Sequence, residues 1–369
     1  MSELHLISPN DELSRRNGSA ILTVARELSY AAHARGTQSV VGGGRNQLKD
    51  LDFAVEAIQP PSANRAAEIA DGVTKLLFGK SLRAAKIDAL PDVQYVFAHN
   101  LPWLGGEIAK KFPEARRILY VHNRILTGAP PITIRRVLSA FDVVICVSEY
   151  IRTDLLRRAG RAPACRIVVV YNGVDYEKFS AAEAGKEFAS DVAFVGRIIP
   201  EKGASEFAKA VAKVSSVRPL TVTFVGGKSF LPSDHESGYE REVRQILENS
   251  EAEVNRTGPI PPARIPAIMN AAKVVAVPSV WPEPCALVFL EAMASDAAVL
   301  ASRVGGLPEV GLDAGVTFVE PGDSDGLSRA LIELLDNQER REVQSQKSRQ
   351  WAEERPWAVV YADVRRVVS

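Results

Sequence analysis

At 369 residues the chain is long enough for about two domains, and its 46% hydrophobic share is that of an ordinary globular protein. Its 45 Lys and Arg balance its 45 Asp and Glu, which argues against a general nucleic-acid binder, and no apolar run approaches the about 20 residues needed to span a bilayer. Cys146, Cys165 and Cys285 are scattered with no Cys-x-x-Cys, so neither a zinc site nor a disulfide framework is expected, and with no basic start followed by a long apolar run at the N-terminus a reducing cytoplasm is the expected location.

Leu4–Ser8 reads as a first strand. The polar loop from Pro9 to Ser19, with Gly18 near its end, leads into a helix with apolar positions Ile21, Leu22, Val24, Ala25 and Leu28. Strand, small-residue loop and helix form the opening of a nucleotide-handling α/β domain. Val40 and Val41 end a second strand before Gly42-Gly43-Gly44, but Asn46 and Gln47 stand where a third glycine should fall, so the dinucleotide fingerprint is not met. Residues 62–90 predict an amphipathic helix with Ile69, Val73, Leu76 and Leu77 on its apolar face. Val93–Ala98 and Ile118–Val121 predict strands that run into His99-Asn100 and His122-Asn123. Each histidine thus falls at a strand's C-terminal end, where ligands bind in open α/β sheets. Asp142–Val147 is nearly continuous in apolar residues, as a buried parallel strand should be, and Ile167–Val170 closes this half before the turn at 171–175.

The charge is uneven. Residues 1–175 hold 23 Lys and Arg against 17 Asp and Glu, and residues 176–369 hold 22 against 28. Within 107–166 the count is 12 basic against 5 acidic, a face suited to an anionic acceptor or to weak contact with an anionic membrane.

Residues 176–190 are polar and irregular, a linker by composition. The strand–helix alternation then restarts. Val192–Val195 predicts a strand followed by Gly196-Arg197 and Glu201-Lys202-Gly203, with a helix from about Ser205. Arg197 and Lys202 at the C-terminal end of that strand are placed to hold a diphosphate, one by a planar bidentate grip and the other as a point charge. Leu220–Val225 is the next strand, and the turn Thr257-Gly258-Pro259-Ile260 follows a short charged helix over 241–248. Val274–Val277 ends at Pro278, and Pro282 and Pro284 keep the following loop extended. A helix begins near Ala286, and its first amides favour an anion there. Glu283 lies before this helix and Glu291 inside it, with seven residues between them. A carboxylate two turns into an apolar helix needs donors, and sugar or ribose hydroxyls are suitable. Ala297–Ala301 and Val316–Val319 are the last strands, and helices follow at 327–335, 339–354 and 357–368.

The Gly-Arg-x4-Lys-Gly segment at 196–203 and the Glu-x7-Glu segment at 283–291 together resemble the retaining glycosyltransferases of family 4. The resemblance implies an α/β chain of GT-B fold, with two Rossmann-like domains whose parallel sheets face each other across a cleft. Residues 1–175 would form the acceptor domain and 191–352 the nucleotide-sugar donor domain, joined by the linker, with 353–369 crossing back to the first. It implies that Arg197 and Lys202 hold the diphosphate, that Glu283 contacts the transferred sugar and Glu291 the ribose, and that the amides of Ala286, Leu287 and Val288 meet the diphosphate and sugar. Ile260 would lie where the base is read, Gly18 on a loop over the phosphates, and His122 close to the donor sugar, with His99 in a supporting or structural place. Cys285-Ala286 stands where the family has an aromatic residue and a glycine.

The implied reaction moves a hexose from a UDP-, GDP- or ADP-sugar to a cell-surface glycan or lipid-linked acceptor with retention. Neither a cofactor nor a metal is expected: cations and helix amides can stabilise the leaving group, and Asp323-Ser-Asp325 and Asp50-Leu-Asp52 read as a helix cap and as surface. A nucleotide-sugar epimerase or a phosphorylase on the same fold, and a non-catalytic sugar-nucleotide sensor, are the competing readings.

Overall fold

The computed structural model describes residues 2–8, 19–42, 55–56, 92–229 and 235–369. The chain divides into two compact units: Met1–Asn172 together with Trp357–Ser369, and Gly173–Pro356. The expected helix over 62–90, most of the Gly42-Gly43-Gly44 turn and Gly18 lie outside the described residues.

In the first unit the strands are β1 (Ser2–Leu6), β2 (Gln38–Gly42), β3 (Val55–Glu56), β4 (Val93–His99), β5 (Arg116–Val121), β6 (Val143–Cys146) and β7 (Arg166–Val169). Among the described residues they form one parallel sheet in the order β3-β2-β1-β4-β5-β6-β7. Most residues of its central strands are buried, as in a parallel sheet covered on both faces. The helix Ala20–Ala34 returns the chain from β1 to β2, burying Leu22, Val24, Ala25 and Leu28. Ser148 caps the helix Glu149–Ala159 by accepting from the amide of Ile151, and Gly160 closes it. The last helix, Trp357–Val368, belongs to this unit and buries Val360, Tyr361, Val364 and Val368.

The second unit holds β8 (Ser190–Val195), β9 (Thr221–Val225), β10 (Glu253–Gly258), β11 (Ala272–Val277), β12 (Ala298–Ser302) and β13 (Thr317–Val319), parallel in the order β10-β9-β8-β11-β12-β13. Both sheets therefore begin 3-2-1-4, the doubly wound order, and each reverses direction between its first and fourth strands. Beneath the second sheet Phe194, Phe207 and Phe224 pack as three rings, with centroids 4.7–5.9 Å apart. β10 has no counterpart among the expected strands; it is a polar, largely exposed edge. Residues 176–190, expected as an irregular linker, carry a helix at Tyr176–Ser180 and a turn at Lys186–Phe188. Phe179 and Phe188 are buried there, and Phe188 packs with Val225 and Ile268.

Many cations of the basic stretch 107–166 have partners inside it. Arg124, Arg157 and Arg158 converge on Asp154, and Arg135 donates to the carbonyl of Ala159. Arg117 grips Asp142 through Nη2 at 2.8 Å and Nε at 3.0 Å, and its own amide donates to the same carboxylate at 2.8 Å. This clamp joins the N-terminal ends of β5 and β6. The hydrogen bond from Arg117 holds the Asp142 carboxyl below its usual value of 3.8. A depressed folded-state value stabilises the fold above about pH 4, and that contribution disappears as pH falls through the folded value. Asp142→Asn is expected to cost roughly 1 kcal/mol at pH 7 and to flatten the loss of stability between pH 5 and 3. Thermal unfolding of both forms across that range checks it.

Candidate functional site

In an open α/β sheet the crevice for a ligand opens where the strand order reverses. In the second unit that point lies between β8 and β11, and the loops after those two strands carry Lys202 and Glu283. The first loop passes Arg197, makes a single turn at Pro200–Lys202, and enters the helix Ala204–Ser215 through Gly203. The second runs from Pro278 to Ala286 and enters the helix Leu287–Ala294.

The two loops are joined by backbone. The amides of Val280 and Trp281 both donate to the carbonyl of Glu201, at 3.1 and 3.2 Å. Gly203 has φ +69°, and a Cβ there would stand 1.8 Å from the carbonyl oxygen of Pro278. Only glycine fits, on conformational and steric grounds alike. A third loop, after β12, closes on the second in the same way. Gly305 has φ +55°, and a Cβ on it would stand 2.0 Å from the carbonyl oxygen of Glu283, which accepts from the amide of Gly306 at 2.8 Å.

Glu283 is thus held from behind by Gly305 and Gly306, and its side chain is held in front. Oε1 accepts from Lys202 Nζ at 2.6 Å and from Ser279 Oγ at 2.9 Å. The residue is only 6% exposed, so an unpaired charge there would be costly and the ammonium of Lys202 offsets it. Ala286 caps the next helix without a side-chain acceptor, so its first amides, those of Leu287 and Val288, face the loop end with the positive end of the helix dipole. Arg197 lies half-buried in the first loop and Glu291 half-buried in the second turn of this helix. Ile260 packs half-buried beside Phe188, Val225 and Ile268.

The first unit presents His122 just beyond β5. Its amide donates to Asn100 Oδ1 at 2.7 Å, and its ring stacks on Tyr120 at 4.7 Å between centroids. Its Nε2 lies 2.8 Å from His99 Nδ1. Burial brings the His122 value down to about 3 and pushes His99 well below the ordinary histidine range, helped by the neighbouring His122 and His5. Both rings are neutral at neutral pH.

Lys202, Glu283 and the start of the 287–294 helix are therefore brought together in the second unit, while His122 sits with His99 in the first. Ser279, Gly305 and Gly306 were not singled out in the sequence. The signal for Ser279 is its spacing of four residues before Glu283; the glycines reveal their part only through the close approach of two loops. Glu3 and His5 were also missed, although a charged and a titratable residue two apart on a buried strand are unusual. Among the described residues no group of three or more His, Cys, Asp or Glu is arranged to hold a metal ion, and no helix is long and apolar enough to cross a membrane.

Residues 175–351 match the family Glycosyl transferases group 1, and residues 21–178 match Glycosyltransferase Family 4. The chain is 29% identical over 303 residues to D-inositol 3-phosphate glycosyltransferase of Corynebacterium glutamicum, covering 74% of this chain and 71% of that one. In structure it is similar to sucrose-phosphate synthase of Thermosynechococcus elongatus, with a TM-score of 0.78, 18% identity and 99% and 98% of the two chains covered. It is also similar to Anabaena HepE in complex with UDP, with a TM-score of 0.75, 19% identity and 100% and 99% covered. With the two families together spanning residues 21–351 and the switch-point site in place, the chain belongs to the family 4-like glycosyltransferases of GT-B fold.

Proposed function

We propose that this glycosyltransferase moves a hexose from a nucleotide-diphosphate sugar to a glycan or lipid-linked acceptor, with retention of configuration and without a metal. The observation that carries the reading is the contact of Lys202 with Glu283 at the switch point of the second sheet. The two residues are the cation and the carboxylate that such a donor needs, one for its diphosphate and one for its sugar hydroxyls.

Breaking the glycosidic bond leaves an oxocarbenium-like sugar and a more negative diphosphate. Arg197, Lys202 and the amides of Ala286, Leu287 and Val288 stabilise the leaving group by preorganised electrostatics. An ammonium has three donors, so Lys202 can keep Glu283 while it takes a phosphate oxygen. Glu283 orients the sugar, Glu291 holds the ribose, Ile260 flanks the base, and the segment around Gly18 closes on the phosphates. His122 meets a substrate hydroxyl at the C-terminal edge of the first sheet. Same-face attack by the acceptor, with the leaving phosphate helping to take its proton, accounts for retention. UDP-sugars head the donors to test because the similarly folded HepE is in complex with UDP. The basic stretch 107–166 supports a cytoplasmic enzyme that meets the inner membrane face weakly. With three arginines turned to Asp154, that contact would rest on the remaining cations.

Incubation with labelled UDP-, GDP- and ADP-sugars and with inositol phosphate, glycan and lipid-linked acceptors tests the reading. Binding and transfer are expected with one donor, and failure to bind any nucleotide sugar ends it; binding without transfer to any acceptor turns it towards a sensor. Lys202→Ala is expected to weaken donor binding and Glu283→Gln to slow transfer, each by about 10- to 100-fold, the loss of a charge-assisted hydrogen bond of about 1.5–3 kcal/mol.

Gly203→Ala tests the junction behind these residues. A side chain at φ +69° costs about 1–2 kcal/mol, and the clash with the Pro278 carbonyl must push the two loops apart. Calorimetry should show weaker nucleotide binding while circular dichroism shows the fold retained.

A further inference from the structure

Parallel strands put every second side chain on one face, and the pairing of β1, β4 and β5 lines up four polar residues on one face of the first sheet. Glu3 and His5 lie two apart on β1. His5 is in register with Phe97, two before His99 on β4, and His99 is in register with Tyr120, two before His122. The polar side chains thus step two residues towards the C-terminal edge with each strand. All four are nearly or wholly buried.

They are joined end to end. His5 Nε2 lies 3.2 Å from Glu3 Oε1, His5 Nδ1 lies 2.9 Å from His99 Nε2, and His99 Nδ1 lies 2.8 Å from His122 Nε2. The nitrogens meet in pairs and do not converge on a common point, so they share protons and not a metal ion. Phe97 stacks under His5 at 4.6 Å and Tyr120 stacks against His122, which fixes the rings.

The other end of the chain sets its direction. Glu3 Oε2 accepts from Tyr361 Oη at 3.1 Å, and the guanidinium of Arg365 lies 3.9 Å away. Both come from the last helix, and both suit a carboxylate. A carboxylate only accepts, so His5 must donate from Nε2. Tyr361 and Arg365 meet Glu3 from its other side, so a single proton on His5, at Nε2, satisfies the contact. Its Nδ1 then accepts from His99 Nε2–H, and His99 Nδ1 accepts from His122 Nε2–H. One proton per ring satisfies every bond, and the nitrogen left bare is His122 Nδ1.

We propose that Glu3, His5 and His99 are positioning residues that hold His122 with its proton on Nε2, and so present Nδ1 as a fixed hydrogen-bond acceptor to a substrate hydroxyl at the C-terminal edge of the first sheet. This deepens the proposed function and rests on it for the part played by the substrate. The neutral state of both rings, enforced by burial, is what the arrangement requires, because an imidazolium would donate from both nitrogens.

The test reads the tautomer directly, by 15N resonances of the histidine side chains of the full-length protein without substrate, with His122 assigned through His122→Gln. The wild-type protein is expected to show a bare Nδ1 and a protonated Nε2 at His122. Glu3→Gln is expected to reverse it. Tyr361 Oη and Arg365 draw the amide oxygen to their side, the amide NH2 then faces His5 Nε2, and each ring turns its proton the other way. Transfer should fall about a hundredfold with that reversal, as for a misplaced acid–base group. A proton on Nδ1 of His122 in the wild type would mean that His5 donates from both nitrogens, and it overturns the proposal whether or not Glu3→Gln folds. An unchanged His122 tautomer in a folded Glu3→Gln overturns it too. Reversal with undiminished transfer overturns the role of Nδ1 towards substrate and leaves the donor site around Lys202 and Glu283 untouched.

Discussion

The carbonyl of Pro278 and the bare Cα of Gly203 touch where no side chain could stand between them, and the second unit of this enzyme depends on that contact. Two strands of a parallel sheet emerge side by side at the switch point, and their following loops would ordinarily diverge to reach helices on opposite faces. Here the Glu201 carbonyl takes both amides of the opposing loop, and the glycine lets the chains lie in van der Waals contact. Lys202 and Glu283 are neighbours of these anchors, so their side chains meet without a long reach. The ion pair is a result of the backbone junction more than its cause. A buried pair of this kind is a weak source of stability; its value lies in a carboxylate and an ammonium held ready, with most of the desolvation cost met when the chain folds.

The first sheet handles the same edge differently. It buries three imidazoles and a carboxylate in a line, each satisfied by the next. In a low dielectric such a chain is stiff when complete and costly when broken. The helix Trp357–Val368 completes it, since Tyr361 and Arg365 supply what Glu3 needs at the far end. Burial and the neighbouring carboxylate also push the Tyr361 hydroxyl up to about 12, so it remains a donor at any physiological pH.

The strands were legible because they are apolar. β4, β5, β6, β8, β11 and β12 are largely buried, and each carries a run of three or more apolar residues. β10 was missed for the complementary reason: Glu253, Asn255 and Arg256 sit on an exposed edge where no apolar pattern is required. Residues 176–190 read as a linker because only Phe179 and Phe188 are anchored, too few for a period to emerge. Lys202 and Glu283 were legible through the spacing of Gly-Arg-x4-Lys-Gly and Glu-x7-Glu. The line from Glu3 to His122 was not, because its members lie on three strands, and only the pairing register reveals that His5, His99 and His122 share a face.

The chain leaves the first unit at Asn172 and re-enters it at Trp357, and the amide of Val174 donates to the carbonyl of Arg355 where the two crossings run side by side. The second unit is therefore a closed insertion within the first. During synthesis it can complete its sheet as soon as it clears the ribosome, while the earlier-made unit must wait for Trp357–Ser369 before Glu3 finds its partners. The order of translation and the order of maturation are inverted, and a chain cut short before Trp357 would keep a finished second unit and an unfinished first.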